Sequence, residues 1–511
     1  MNWTQLSELL PVGVVLASAL IVVFLSLVLE EKDRFMLPLV AMAGCLLGLA
    51  VLAQNYYSLV EYYHAPPPWF AGLEPPAPGG FNPLILSGAF AVDGFGMAIA
   101  AVALLSGALA VLYALPAPES SALSTGEYYG LMLLAVAGML LLGFSHDFLT
   151  LLISLEIMSV STYILSGSVR GGVKSGEAAL KYLVLGAFST AILLLGIAFI
   201  FGATGSLSLA AITVKPGDSR YYLLLAGLGL LAVGLLFKVG AVPFHFWIPD
   251  VYEGAPTGVT GLMAAGVKAA AFAVLARVLF ETFGHAAFRA EVSQLLWAAA
   301  IATMVLGNLV ALQQTNVKRL LAYSGIAHTG YLLLAFLINP DPRFQPETCQ
   351  VAISEHLRTV SFYLLAYALM ALGAFGVVHV VREDGRPLET LKEYTGLARE
   401  HPVLALCMAA FMLSLAGLPP FAGFFAKFMV FRAAIEQGYV GAAVLGILTS
   451  VASLYYYLRV VREMYMQADA PEAPAGARAR CRIDWTSSLV IYGSSAATLL
   501  LGLFPHWAPG W

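Results

Sequence analysis

Long apolar runs separated by short polar segments make up most of this chain. A helix needs about 20 mostly apolar residues to cross the hydrocarbon core of a membrane, and a window of that length finds fourteen such runs. The first seven lie near residues 10–29, 35–57, 94–115, 127–144, 148–168, 177–203 and 221–243. The other seven lie near 257–280, 292–313, 317–338, 357–381, 402–436, 440–466 and 486–505. The pattern predicts an all-α polytopic membrane protein with about fourteen transmembrane helices.

Two of these runs contain proline breaks. The stretch FKVGAVPFHFWIPD, residues 237–250, carries Pro243 where the seventh run ends, and LAGLPPFAGFFAKF, residues 415–428, carries Pro419 and Pro420 inside the twelfth. The breaks lie five runs apart. A unit of five spans must have the opposite orientation when it is repeated, so the spacing indicates two inverted five-helix repeats of the kind that transporters contain.

The breaks also suggest how the chain is divided. We expect an N-terminal three-helix segment (1–126), a first repeat (127–281, spans 4–8), a second repeat (292–466, spans 9–13) and a C-terminal segment with helix 14 (467–511). Irregular backbone at membrane depth is tolerated only where protein covers it or where it lines a wet cavity. The breaks therefore predict half-channels.

Composition agrees with a membrane protein and excludes several other classes. Hydrophobic residues make up 60% of the 511 and charged residues only 11%, whereas soluble domains carry about 25% charge. The net charge of -4 gives no indication of a nucleic-acid partner. The four cysteines have no C-x-x-C spacing, so we expect no metal site and no redox centre in the chain. Charged residues follow the first apolar run, which predicts an uncleaved first helix.

The basic residues between the runs and toward their ends are distributed unequally between the two membrane faces. Assigning the loops alternately to the two faces places fifteen Lys and Arg residues on one face and seven on the other, Lys215, Arg220, Arg277, Arg289, Arg343, Arg358 and Arg432. The richer face has Lys32, Arg34, Arg170, Lys174, Lys318, Arg319, Arg382, Arg386, Lys392, Arg399, Arg459, Arg462, Arg478, Arg480 and Arg482. Because cytoplasmic loops are enriched in Lys and Arg, we expect both termini on the periplasmic side of a bacterial inner membrane.

A few ionisable residues fall inside the predicted spans, where a charge costs at least about 2.5 to 3.5 kcal/mol. Such residues usually face a bundle interior or a hydrated cavity, so their positions carry information about function. The set comprises Glu156, Lys181, Lys238, Lys268 and Lys427, with His245 and His328 as further titratable groups. His328 shares its span with Tyr323 in a polar stripe that suits a hydrated path.

Structural roles remain open for several of these residues. Lys181 has Glu177 four residues before it, so an interfacial pair at the membrane surface is an alternative to a buried role. Glu156 needs a positive partner or a proton, and either a structural pair or a switch would supply it. His245 could cap a helix end, and His328 could be a buried, hydrogen-bonded core residue.

The chemistry that this residue set suits best is proton transfer. Burial disfavours the charged form of a lysine and a nearby carboxylate favours it, so moving the carboxylate away can release a proton. Histidine can relay protons at neutral pH. The sequence contains no nucleophile elbow and no P-loop.

Five motifs resemble the antiporter-like subunit N family of bacterial respiratory complex I, the proton-pumping NADH:quinone oxidoreductase, equivalent to mitochondrial subunit 2. They are SLEIMSVSTYIL (154–165), EAALKYLVLGAFSTAILLLGIAFIFGATGS (177–206), FKVGAVPFHFWIPDVYEGAPT (237–257), NVKRLLAYSGIAHTGYLL (316–333) and LAGLPPFAGFFAKF (415–428). The resemblance covers nearly the whole chain. The sequence YEGAPT after the seventh span and Lys427, where the related subunit M has glutamate, favour subunit N. The loops 65–82 and 339–356 contain no motif of the family.

The resemblance implies a role for each candidate residue. Glu156 would partner Lys238, Lys268 would lie at the middle of a central proton path, and Lys427 would lie on the exit side, with His245 and His328 along the hydrated route. NADH, FMN, iron–sulfur clusters and quinone would be held by partner subunits and none by this chain. Its partners would be the neighbouring antiporter-like subunit M, small subunits such as K, and lipids.

Three other functions remain open at this stage. A component of an Mrp-type Na+(K+)/H+ antiporter would use the same lysines without electron transfer. A ferredoxin-linked or deazaflavin-linked relative of complex I would have much the same sequence here. A structural scaffold would use the charged pairs only to hold helices in register.

Overall fold

The computed structural model describes residues 7–62, 84–115, 123–169, 171–209, 218–282, 289–339, 346–383, 386–466 and 483–507. The loop 65–82 lies outside these residues, as do part of the loop 339–356, Cys481 and the basic residues Arg170, Lys215, Arg343, Arg478, Arg480 and Arg482.

The described chain is almost entirely helical. Its first nine helices are α1 (Leu10–Val28), α2 (Met36–Tyr62), α3 (Gly94–Ala114), α4 (Thr125–Phe144), α5 (Phe148–Ser166), α6 (Val173–Thr204), α7 (Tyr221–Val239), α8 (Trp247–Gly254) and α9 (Thr257–Glu281). The next eight are α10 (Arg289–Ala311), α11 (Val317–Leu334), α12 (Pro346–Val380), α13 (Leu397–Glu400), α14 (Pro402–Ala416), α15 (Ala422–Glu436), α16 (Val440–Tyr465) and α17 (Trp485–Leu503). Short 3-10 turns occupy Glu31–Asp33, Leu391–Tyr394 and Pro505–Trp507.

The described part of the chain contains two short antiparallel pairs of strands. β1 (Leu84–Ile85) pairs with β2 (Phe90–Ala91), and β3 (Arg382–Glu383) pairs with β4 (Arg386–Pro387). Each strand has two residues, so the pairs only close loops between helices.

Within the described residues, twelve helices are long and apolar enough to cross a membrane. They correspond to the predicted spans except the tenth and the twelfth. The tenth span is α11, whose 18 residues include Lys318, Arg319 and His328 and are therefore less apolar. The twelfth is divided into α14 and α15, of 15 residues each. The protein is thus an all-helical, multi-pass membrane protein.

Both proline breaks begin with the same helix cap. α7 is capped by Gly240, which has φ +76°; the amide of Gly240 donates to the Phe237 carbonyl and that of Ala241 to the Leu236 carbonyl. α14 is capped by Gly417, which has φ +87°; the amides of Gly417 and Leu418 make the same two bonds at equivalent positions. This pair of bonds is the Schellman motif, which favours glycine because of the positive φ. The prolines Pro243, Pro419 and Pro420 follow in the irregular segments, where they cannot continue the helix.

Helices α9 and α12 form the centre of the bundle. In each, 94% of the most apolar window is buried, whereas the corresponding value is 33% for α1, α6 and α16. α9 is rich in small residues such as Ala269 to Ala271, which allow neighbouring helices to approach closely. It also contains a π-helical turn, Met263–Val267, directly before Lys268. The side chains that project from α9 are therefore shielded from lipid.

One end of the bundle gathers many of the basic residues that the sequence assigned to a single face. There α8 lies against α6 and the beginning of α11, and Glu389 accepts hydrogen bonds from Asn316 and Lys318. α8 is amphipathic, since Trp247 and Val251 are buried while Asp250 and Glu253 meet cations. We call this end the basic face.

Candidate functional site

Lys238 is buried at the end of α7, where the first break begins. Its side chain is 7% exposed, and its Nζ donates to Ser159 Oγ at 2.9 Å and to Tyr163 Oη at 3.2 Å. Lys238 lies in the last turn of its helix, where the macrodipole favours a cation. Because both partners are neutral hydroxyls, the lysine can gain or lose its proton without leaving a buried carboxylate unpaired.

Glu156 lies on the same helix as the hydroxyl partners of Lys238. Glu156, Ser159 and Tyr163 occupy positions i, i+3 and i+7 of α5 and so share one helix face. Glu156 accepts a hydrogen bond from Thr190 Oγ1 of α6 at 2.8 Å. Among the described side chains no ion pair joins Glu156 to Lys238, so the pairing that the resemblance implies stays a prediction.

Lys268 projects from the centre of the bundle toward α11. It is 4% exposed and donates to the Gly325 carbonyl at 2.6 Å and to Thr329 Oγ1 at 3.2 Å. Thr329 Oγ1 in turn donates to the Val239 carbonyl at 2.9 Å. One hydroxyl therefore connects Lys268 to the helix end that carries Lys238.

His328 lies beside Thr329 on α11 and is 2% exposed. Its Nδ1 is 2.6 Å from Tyr363 Oη and its Nε2 is 3.2 Å from Tyr457 Oη. Tyr457 Oη is also 2.5 Å from Ser324 Oγ. The histidine therefore belongs to a buried hydroxyl network rather than facing lipid.

Lys427 lies in α15, shortly after the second break, and is 4% exposed. Its Nζ donates to the Ala416 carbonyl at 2.9 Å and to Ser450 Oγ at 2.8 Å, and it lies 5.0 Å from the ring centroid of Tyr331. Ala416 is the last residue of α14, so the ammonium group lies at the negative end of that helix dipole. Lys238 lies before its break and Lys427 after its break, yet both contact a helix C-terminus.

Lys181, His245 and Tyr323 are less closely connected to the buried lysines and His328. Lys181 is not buried: its side chain is 41% exposed and pairs with Glu177 at 2.7 Å and with Asp250 at 2.6 Å. His245 lies in the break and is partly buried. Tyr323 is partly buried against the core. Within the described residues, no side-chain hydrogen bond links these three to the buried lysines.

The first break is stabilised from the other half of the chain. The amide of Val242, directly before Pro243, donates to Thr303 Oγ1 of α10 at 2.9 Å. In the second break, the amide of Gly423 donates to Ser414 Oγ at 3.1 Å. Backbone groups freed by the prolines at membrane depth are thus satisfied by protein hydroxyls.

A further buried cation was missed by reasoning from the sequence. Arg277, assigned to the less basic face, is only 4% exposed and lies at the end of α9 opposite to the basic face. Its guanidinium group donates to Asp93 Oδ1 at 2.9 Å and to the Gly143 carbonyl at 2.8 Å. Ion pairing with Asp93 makes it a clasp between α3, α4 and α9.

The hydroxyl partners of the lysines were also missed. Tyr163, Ser159 and Ser450 are neutral, so a search for intramembrane charge does not find them. The spacing of Glu156, Ser159 and Tyr163 in the motif SLEIMSVSTYIL was a signal that could have identified two of them. Within the described residues, no group of three His, Cys, Asp or Glu side chains could hold a metal ion.

The fold and the line of buried lysines define the chain as an antiporter-like membrane subunit, and the family described as NADH:quinone oxidoreductase/Mrp antiporter, TM, matches residues 145–453. An NADH-quinone oxidoreductase subunit N from Myxococcus xanthus is 44% identical over 406 residues, 76% of this chain and 77% of the relative. The chain therefore belongs to the subunit N family of NADH-quinone oxidoreductases.

Two further comparisons agree with this family. A subunit N from Trichlorobacter lovleyi is 40% identical over 422 residues, 81% of this chain and 82% of the relative. In the structure of respiratory complex I from Thermus thermophilus with bound aureothin, one chain is 34% identical, with 98% of both chains covered and a TM-score of 0.72. The resemblance inferred from the five motifs is thereby confirmed.

Proposed function

We propose that this chain translocates protons across the membrane as part of a proton-pumping NADH:quinone oxidoreductase, driven by quinone reduction elsewhere in the complex. The observation that supports this most directly is the position of α11. Its Thr329 links the end of the Lys238 helix to Lys268, its His328 lies in the adjacent hydroxyl network, and its Tyr331 lies under Lys427. One helix thus contacts the surroundings of all three buried lysines.

The proposed path runs along this helix. A proton held at Lys238 would pass to Lys268 beside Thr329 and then to Lys427, with His328 and the tyrosines as intermediate donors and acceptors. Water molecules entering at the two breaks would complete the connections, and His245 would lie along the entry. Glu156 would control the charge of Lys238 by approaching or leaving it.

The topology of the path follows from the repeats. The two identical caps at Gly240 and Gly417 support fourteen spans with two inverted five-helix repeats, over 127–281 and 292–466. The segments 1–126 and 467–511 would flank them. Residues of the basic face would lie in the cytoplasm and both termini in the periplasm, according to the positive-inside rule.

The energy for transport would come from partner subunits. Membership of the subunit N family supports NADH, FMN, iron–sulfur clusters and quinone in those partners and no redox cofactor in this chain. It also supports contacts with antiporter-like subunit M, with small subunits such as K and with lipids.

The test is to replace Lys268 by methionine, which keeps the length of the side chain but has no titratable group. We expect Lys268→Met to lower the proton-pumping rate of the assembled complex by about tenfold or more, as for a lost proton-transfer group. Proton uptake into vesicles during NADH oxidation measures this directly. Lys392→Met, at an exposed lysine of the basic face, is the matched control. Unchanged pumping by assembled Lys238→Met and Lys268→Met complexes would contradict the proposal.

The same vesicles distinguish the alternatives. An Mrp-type antiporter component would exchange Na+ or K+ for protons without NADH oxidation. A ferredoxin-linked or deazaflavin-linked relative would pump with those donors and not with NADH. A scaffold would lose assembly when Glu156 is replaced, whereas a proton-path residue would lose turnover in an assembled complex.

A further inference from the structure

The short helix α8 is held by cations that come from two different helices. Asp250 accepts from Lys181 Nζ at 2.6 Å and from Arg319 Nη1 at 2.8 Å. Glu253 accepts from Lys174 Nζ at 2.7 Å and from the same Arg319 Nη1 at 2.9 Å. We call these five residues the α8 clamp. Arg319 is the only member that binds both carboxylates, so it joins the two halves of the clamp.

A neighbouring lysine holds the backbone of the same helix. Lys318 Nζ donates to the Glu253 carbonyl at 3.0 Å and to the Ala255 carbonyl at 2.9 Å, at the C-terminal end of α8. It also lies 3.4 Å from Glu389 Oε1. The first turn of α11 therefore fixes both the side chains and the C-terminal end of α8.

The other face of α8 leads to Lys238 through aromatic rings. Trp247 stacks on Tyr182 with ring centroids 4.6 Å apart, and Tyr182 packs edge-on against Tyr163 at 4.5 Å. Tyr163 Oη accepts the hydrogen bond from Lys238. Because these rings are buried and in contact, a displacement of α8 must alter the surroundings of Lys238.

The other end of this connection is Lys268. Arg319 lies on α11 six residues before Gly325, whose carbonyl accepts from Lys268, and ten residues before Thr329. At a rise of 1.5 Å per residue, the guanidinium-bearing turn is about 9 to 15 Å from these acceptors along the helix. A rigid helix of that length transmits a shift at one end to the other.

We infer that Arg319 is a positioning residue that couples the proton occupancy of Lys238 to that of Lys268, by fixing α8 relative to α11. The inference rests on the proposed proton path. When the clamp is closed, the ring contacts keep Tyr163 against Lys238 while α11 keeps Gly325 and Thr329 against Lys268. When the clamp opens, α8 moves away from α11, and the proton occupancy of Lys238 no longer affects that of Lys268.

The length of α8 and the backbone before it allow the clamp to open as a unit. α8 has only eight residues and is preceded by the irregular segment 240–246. The groups facing it carry a net charge of +2, which the two carboxylates of α8 balance. Those groups are Lys174, Glu177 and Lys181 of α6, Lys318 and Arg319 of α11, and Glu389 of the segment before α13, facing Asp250 and Glu253 of α8 itself.

Protonation of the clamp carboxylates does not open it at neutral pH. Burial alone would raise the pKa of Asp250, but hydrogen bonds from Lys181 and Arg319 outweigh burial and keep that pKa below its usual range. The pKa of Glu253 is lowered in the same way, against the effect of burial, by Lys174 and Arg319. Movement of α6 or α11 must therefore drive the opening.

The test compares Arg319→Gln with Arg319→Lys in the whole complex. Glutamine keeps hydrogen-bonding ability but removes the charge, whereas lysine keeps the charge and loses the fork geometry. We expect Arg319→Gln to lower the protons pumped per NADH oxidised and to make the amides of residues 240–256 exchange with deuterium on the order of fivefold faster. Arg319→Lys should restore part of both.

A pH profile separates positioning from a merely structural role. Removing the Arg319 charge favours the protonated form of nearby lysines, so the pH at which pumping is half-maximal should move upward in Arg319→Gln. The matched control is Arg462→Gln, an exposed arginine of the same face that pairs with Glu463. It should leave the profile, the stoichiometry and the exchange unchanged.

Two outcomes overturn the inference and one overturns its basis. An assembled Arg319→Gln complex with normal stoichiometry and an unshifted profile would show that Arg319 does not couple the lysines. Loss of assembly in Arg319→Gln together with normal pumping by assembled Lys181→Gln, which opens only one half of the clamp, would show a structural role. Normal pumping by Lys238→Met and Lys268→Met would remove the proposed function itself.

Discussion

At the scale of single residues, the buried lysines are stabilised by hydroxyls and carbonyls rather than by carboxylates. Lys238 has Ser159 and Tyr163, Lys268 has the Gly325 carbonyl, and Lys427 has the Ala416 carbonyl. A neutral partner can accept a bond from the charged lysine and can itself donate to the neutral amine. A carboxylate would instead strongly favour the charged form. Hydroxyl partners are therefore suited to groups that change protonation state.

Gly417 offers a test of how closely the second break surrounds its lysine. A Cβ at this position would lie 2.8 Å from Lys427 Cδ, and the φ of +87° would be strained by any side chain. We expect Gly417→Ala to lower stability by about 1 to 2 kcal/mol and to lower pumping, because the ammonium group must shift from Ala416. Thermal unfolding and vesicle pumping measure the two effects.

Gly396 supplies the control for this substitution. It also has a positive φ, +79°, but a Cβ there would meet nothing within 4 Å. Gly396→Ala should therefore cost similar stability and leave pumping unchanged. Equal pumping by the two variants would mean that the position of Lys427 does not limit transport.

At the scale of helices, most of the elements could be predicted because membrane crossing requires long apolar runs. The breaks could also be predicted, since Pro243 and the pair Pro419-Pro420 interrupt such runs. α8 as a separate helix could not, because eight residues with two carboxylates give no apolar window. Its partner Arg319 lies 69 residues from Asp250 in sequence, and nothing in the spacing of charges indicates which loops meet.

The residues of the candidate site could likewise be predicted only in part. Lys238, Lys268 and Lys427 were predicted because a charge in an apolar run is conspicuous, and all three are buried. Lys181 was left open between a buried and an interfacial role, and its side chain is partly exposed and pairs with Glu177 and Asp250. Tyr363 and Tyr457, which contact His328, could not be found because aromatic residues are common in the packed interior of any membrane helix bundle.

The ion pairs of the α8 clamp make the stability of α8 depend on pH. Asp250 and Glu253 have folded-state pKa values below the usual range, so their ion pairs contribute fully at neutral pH and are lost as the pH falls through the lowered values. Ordinary carboxyl pKa values are about 4. We expect deuterium exchange in residues 247–256, corrected for the intrinsic rate, to be constant from neutral pH down to about 4 and to accelerate only below it. Acceleration near pH 6 would contradict this assignment.

At the scale of the whole molecule, the separation of basic residues predicts which face meets the cytoplasm. Lys392 lies on the basic face, and Tyr222, also exposed, lies at the opposite end of the bundle at the start of α7. Cysteines can be placed at these two positions after the four native cysteines are replaced by serine. A membrane-impermeant maleimide should label Tyr222→Cys in intact cells and Lys392→Cys only in inside-out vesicles. The reverse pattern would invert the proposed topology.

The π-helical turn before Lys268 affects how this molecule should be aligned and engineered. Such a turn holds one more residue than an α-helical turn, and each residue corresponds to about 100° of rotation. A helical wheel drawn without interruption from Thr257 would therefore place Lys268 and everything after it on the wrong side of α9. A single-residue insertion or deletion in this segment changes the direction of the central lysine while leaving a long apolar helix intact. The number of residues in the turn 263–267 thus determines whether a transplanted α9 would point its lysine at α11 or at lipid.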